Sequence, residues 1–152
     1  MSDSKQIMVA VDFSDYALPS VRYAAHLARK LGEGLLLVNA INRRDVDMMK
    51  SVAAAYPGFV VETYLAENRK DRTALMEKLI AGANCEGLQV DIEIRVGVPY
   101  EVLLEVIDEK DPEMLVMASK GRTNLADAVV GSCAQKIFRR CPIPLVILRT
   151  PR

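Results

Sequence analysis

The residues best placed to do chemistry lie in the stretch Ala118-Ser-Lys-Gly-Arg-Thr-Asn-Leu-Ala-Asp-Ala-Val-Val-Gly-Ser132. The apolar run Met114 to Met117 gives way there to small and polar residues, and Gly131-Ser132 leads into a helix start. A glycine-containing turn between a buried strand and a helix can aim backbone N–H groups at a phosphate. The same turn is also an ordinary way to change direction. Ser132-Cys-Ala-Gln135 has the spacing of a capping box, in which Ser132 accepts from the third helical N–H and Gln135 reaches back. A helix is therefore expected from Cys133, with the partial positive charge of its first turn accessible beside Gly131. Asn124 is spaced to cap a short turn between the two glycines. Phosphate cradle and simple cap both remain open on these residues alone.

Other chemistries find less support. The chain contains neither G-x-x-x-x-G-K-[ST] nor G-x-G-x-x-G, so no P-loop or dinucleotide fingerprint is present. His26 is the only histidine, which excludes histidine-based triads and multi-histidine metal sites, and it reads as a packed or surface residue of the first helix. Cys133 falls in a first helical turn, where a thiolate is favoured. With no histidine nearby in sequence and no resolving cysteine, a small core-facing role fits it better. Met48, Met49 and Met76 read as helix packing.

Elements must position these residues. Lys5 to Asp12 is a short apolar run ending in an acid, and Phe13-Ser14-Asp15 supplies helix-start chemistry. Ala17, Val21, Ala24, Ala28 and Leu31 recur at helical spacing until Gly32 stops the helix, and Pro19 puts its start near Leu18 or distorts its first turn. Leu35 to Ile41 is apolar on both faces, which suggests a strand of a parallel sheet. Between Asn42 and Gly87, Pro57-Gly58 breaks an irregular or short helical segment, and Glu67 to Ala83 reads as one long amphipathic helix with Leu75, Leu79 and Ala83 inward. Gln89 to Val96 alternates and should lie toward a sheet edge. A helix from Tyr100 to Glu109, a strand from Met114 to Ala118, a helix from Cys133 to Arg140 and a strand from Pro144 to Arg149 complete the chain. This alternation predicts an α/β fold: one open five-stranded parallel sheet with helices on both faces. In such a sheet a ligand lies beyond the carboxyl ends of the strands, where the strand order reverses.

Composition bounds the rest. A length of 152 residues suits a single domain, 1–152. With 51% hydrophobic and 26% charged residues, disorder is not indicated. Zero formal net charge and no basic stripe argue against nucleic acid. No apolar run approaches the roughly 18 residues of a membrane span, and the N-terminus lacks a signal-peptide pattern. Three cysteines without paired spacing fit a reducing cytoplasm.

Ala118-x-x-Gly121, nine residues, then Gly131-Ser132 resembles the nucleotide-binding signature Gly-x-x-Gly, nine residues, Gly-Ser/Thr of the universal stress protein family. The segments VAVDFSDYA, LLLVNAI, RVGVPYEVL and CPIPLVILR sit where that family has similar ones, so the resemblance spans nearly the whole chain except Arg43 to Gly87. It implies strand order 3-2-1-4-5 in an adenine nucleotide alpha hydrolase-like fold. It also implies binding of ATP, or of ADP or AMP, with magnesium left open, in a stress-response or regulatory role. Asp12 would accept from the ribose hydroxyls, as an acceptor-only carboxylate can, or else cap the first helix. Ala10 and Val11 would border the base, Ala40 would meet the adenine edge through its backbone, and Val98 and Met117 would pack near the ring. Gly121, Arg122, Gly131, Ser132 and Cys133 would surround the phosphates, with Lys120 as a further nearby cation. Ala118 stands where ATP-binding members have the first glycine, and its methyl obstructs little at negative φ but seriously at positive φ. A dedicated enzyme is not expected, though slow ATP hydrolysis is compatible with the site. The family also implies a homodimer through the last strand, Pro144 to Arg149. The alternative is a dimeric interaction module of the same fold that binds no nucleotide.

Overall fold

Short apolar runs bounded by turn residues form the strands, and segments with apolar residues three and four apart form the helices between them. The structure is a computed structural model and describes residues 5–120 and 131–149. Its elements run β1 (Gln6–Ala10), α1 (Ala17–Leu31), β2 (Gly34–Asn42), α2 (Arg43–Ala55), α3 (Val61–Gly82), β3 (Val90–Gly97), α4 (Pro99–Lys110), β4 (Met114–Ala118), α5 (Ser132–Arg140) and β5 (Leu145–Leu148). The strands pair in the order β3-β2-β1-β4-β5, all parallel. The expected sheet and order are thus present, with β3 and β5 at its edges.

Alternation along the strands divides the interior into two cores. Ile7 and Val9 of β1 and Leu35 and Leu37 of β2 pack with Val21, Ala24 and Ala28 of α1 and Met76 of α3. Met8, Leu36, Val38 and Leu115 face the other way, onto Val102 and Val106 of α4 and Ile137 of α5. Helices therefore cover both faces. In α1, Leu31 departs from the expected apolar stripe, being about half exposed, because Gly32 at φ 69° has already turned the chain away. Pro19 lies within the first turn, where no intrahelical N–H is required, so the helix begins at Ala17 without interruption. Pro99 opens α4 in the same way.

The 43–87 region differs most from expectation. It holds two helices, and the second begins at Val61 rather than Glu67. Its inward residues are Met76, Leu79 and Ile80, while Leu75 is exposed. At the last helix, Gly131 is the N-cap and Ser132 the first helical residue, with no side-chain cap hydrogen bond. The expected capping box is absent because Gly131, at φ −67° and ψ 159°, is already the half-helical residue and its carbonyl accepts from Gln135 N–H at 3.0 Å. Ser132 is therefore one position too far into the helix to cap it.

Candidate functional site

The carboxyl ends of β1, β2 and β4 converge on a cavity of about 420 Å³, within the usual range for a small-molecule site. Three local structures shape it. After β1, Asp12 Oδ1 accepts from Ser14 N–H at 3.0 Å and Ser14 Oγ accepts from Tyr16 N–H at 3.2 Å. Tyr16 is the N-cap of α1, so Asp12 shapes the turn before the helix and does not cap it. Between them Phe13 holds φ 60°, a strained value for a bulky residue that its core contacts maintain.

After β4, Ser119 N–H donates to Leu148 O at 2.9 Å, and Ser119 O accepts from Gly131 N–H at 2.6 Å. This clasp brings the N-terminus of α5 against the end of β4. It commits the Gly131 amide, while helix geometry leaves the N–H groups of Ser132, Cys133 and Ala134 without intrahelical acceptors. All three residues line the cavity, as does Lys120. The arrangement offers an anion several backbone donors, the positive end of a helix dipole and an ammonium.

At the β2 end the polar wall is built by Asn39, buried within an otherwise apolar strand. Its Nδ2 donates to Val11 O at 2.6 Å, and its Oδ1 accepts from Arg72 Nη1 at 2.7 Å. Arg72 reaches over from α3 and also donates from Nε to Asn68 Oδ1 at 2.6 Å. The amide thus joins the ends of β1 and β2 to α3.

Of the residues singled out in the sequence, Ala10, Val11, Asp12, Ala40, Met117, Ala118, Gly131, Ser132 and Cys133 line this cavity. Val98 is the N-cap of α4 and is not among the lining residues, whereas Pro99 and Leu103 of the same helix are. Gly121 and Arg122, with the turn expected at Asn124, lie outside the described residues. Ala118 is a strand residue in register with Leu148, and its φ is not positive. Cys133 takes the small core-facing role expected of it and not that of a thiolate. Burial pushes its thiol up to about 11, Asp12 adds to the rise and Lys136 opposes it. Desolvation is the largest cause, and the side chain packs against the α4–α5 core. Sequence reasoning missed Tyr16, Ser20, Asn39, Arg44, Asp45 and Arg72, all of which line the cavity. The asparagine inside LLLVNAI was the available signal. Among the described residues no cluster of histidine, cysteine and carboxylate side chains could hold a metal ion, and no helix is long and apolar enough to cross a membrane.

Comparison with known proteins agrees with this geometry. The model of the universal stress protein family matches residues 4–149. The universal stress protein MJ0531 of Methanocaldococcus jannaschii is 22% identical, over 97% of this chain and 84% of its own. The solved structure of the hypothetical protein MJ0577 superposes with a TM-score of 0.81 at 18% identity, covering 99% of both chains. The universal stress protein from Archaeoglobus fulgidus in complex with dAMP superposes with a TM-score of 0.66 at 19% identity, over 97% of this chain and all of that one. With a family match over residues 4–149, from end to end of the sheet, this chain belongs to the universal stress protein family.

Proposed function

We propose that the chain binds an adenine nucleotide, ATP or a close relative, as a regulatory ligand in the cavity at the carboxyl ends of β1, β2 and β4. The observation that carries this reading is that three kinds of group line one cavity. The α5 N-terminus and Lys120 line it after β4, Asp12 lines it after β1, and Ala10, Val11, Ala40 and Met117 add apolar wall from the three strand ends. A phosphate suits the first, a ribose diol the second and a purine ring the third. The A. fulgidus relative holds dAMP, and the volume here fits a ligand of that size. Magnesium would supply charge neutralisation to a di- or triphosphate.

The Ala118 methyl favours a second reading, that of an interaction module which no longer takes nucleotide. In both readings residues 1–152 act as one domain in the cytoplasm, in a stress-response role, and pair through β5. Two measurements separate them: mass spectrometry of any nucleotide released on denaturing freshly purified protein, and titration calorimetry with ATP, ADP and AMP, with and without magnesium. Adenine nucleotide binding by either measure supports the first reading. No released nucleotide and no heat at millimolar ligand would leave the second.

A further inference from the structure

Strand geometry singles out one carbonyl at the β2 end of the cavity. In a parallel ladder alternate residues of a strand direct their carbonyls to the same neighbour. Val38 O accepts from Val11 N–H at 2.8 Å, so it faces β1. Ala40 O must face the same way, yet β1 pairing ends at Ala10 opposite Val38. The Ala40 carbonyl therefore projects past the end of β1 into the cavity, beyond the reach of the ladder. The group that meets it is Arg72, whose Nη1 lies 3.3 Å away.

That contact is long for a hydrogen bond, whereas those to two asparagine side chains are short. Asn68 Oδ1 at 2.6 Å and Asn39 Oδ1 at 2.7 Å fix its position. Asn39 is itself oriented by its bond to Val11 O, since only one setting of the amide lets it accept from the arginine and donate to the carbonyl. The cavity thus presents a held cationic donor directly beside an acceptor. A carbonyl has two lone pairs, so Ala40 O can still receive an exocyclic amino group. A ligand oxygen in the same place would instead accept from the guanidinium. Guanidinium groups favour the oxygen and ring nitrogen on the 6-oxopurine edge.

We infer that Arg72 is a base-recognition residue and that the site accepts 6-oxopurine nucleotides as well as adenine nucleotides. The inference rests on the nucleotide-binding reading and extends its range of bases. AMP and IMP are the natural probes, because they share ribose and phosphate and differ at the 6-position and its attendant ring proton. Calorimetry on the wild type should give affinities for the two within about threefold. Arg72→Met should weaken IMP by about tenfold more than it weakens AMP. Arg72→Lys keeps the charge without the fork, tests the same point if the methionine variant unfolds, and should weaken IMP more than AMP. A purely structural role for Arg72 would move both ligands alike, and that result overturns the inference. So does a wild type that binds AMP more than about tenfold tighter than IMP, with the nucleotide reading left intact. A wild type that binds neither overturns the nucleotide reading and this inference together.

Discussion

Ala118 carries a methyl into the cavity from an ordinary strand conformation. Alanine is unstrained there, so the methyl acts on the ligand alone. Ala118→Gly should therefore tighten nucleotide binding several-fold by permitting closer approach, while costing the free protein roughly 0.5–1 kcal/mol in backbone entropy. Calorimetry with AMP and thermal unfolding of the same two proteins check both halves, and an unchanged or weaker affinity would show that the methyl is no obstacle. At this scale the sequence was readable where a residue's role depends on its chain neighbours. Asp12 follows a strand, Gly131 and Ser132 open a helix, and all three line the cavity. Arg72 was not readable, since its role depends on Asn39, which lies 33 positions away. Cys133 was read as a small core-facing residue, and the burial that raises its thiol comes from that packing.

Element boundaries followed capping chemistry where glycine or proline supplied it. Gly32 ends α1 with two reverse bonds, from its own N–H to Arg29 O at 3.4 Å and from Glu33 N–H to Ala28 O at 2.9 Å, the Schellman pattern. That closure holds Glu33 with its Oε2 buried and without a hydrogen-bond partner among the described residues. Burial raises the Glu33 carboxyl above its ordinary 4.5, Glu113 adds to the rise and Lys5 opposes it. The folded chain then binds this proton more tightly than the unfolded chain, so the group lowers stability as pH climbs from 4.5 through its raised value. Glu33→Gln should melt higher than the wild type near neutrality, and the gain should vanish below 4.5, where the wild-type carboxyl is protonated in both states. Melting curves across that range test it, and equal melting temperatures near neutrality would contradict it. The helices between β2 and β3 were harder to read. Only Val46 of α2 and Met76 of α3 are buried, so neither helix leaves a strong apolar stripe in the sequence.

Over the whole molecule the strand order was legible because it follows from connection rules together with the family resemblance. The two edges of the sheet differ in a way that the strand patterns only hinted at. On β3, Arg95 lies 2.6 Å from Glu109 and 3.3 Å from Glu93, and Lys110 lies 3.6 Å from Glu93, so charge guards that edge. On β5, Leu145 to Leu148 are half-buried and apolar. Pro144 O and Leu148 O accept from Leu115 and Ser119 of the β4 side, so by alternation Val146 also bonds inward, and Leu145 and Ile147 present their N–H and C=O groups outward. If β5 pairs with its two-fold mate, Ile147→Pro should weaken the homodimer, because it removes an outward donor. Val146→Pro should instead damage the sheet itself. Light scattering over a dilution series distinguishes them: a wild type that is monomeric at tens of micromolar rules out the dimer, and a folded Ile147→Pro protein that stays fully dimeric rules out this edge.

The division of the interior by the sheet also bears on how the protein tolerates change. Ile7 belongs to the core under α1 and α3, and Ile137 to the core under α4 and α5. No buried residue is shared between the two clusters. Ile7→Val and Ile137→Val should each cost about 0.5–1.5 kcal/mol. Because sites with no shared partners act independently, their combined cost should equal the sum to within about 0.5 kcal/mol. Sequence drift on one face is then energetically invisible to the other. Each core can be rebuilt around the same five strands on its own schedule, and the cavity at their common ends feels such changes only through the strands.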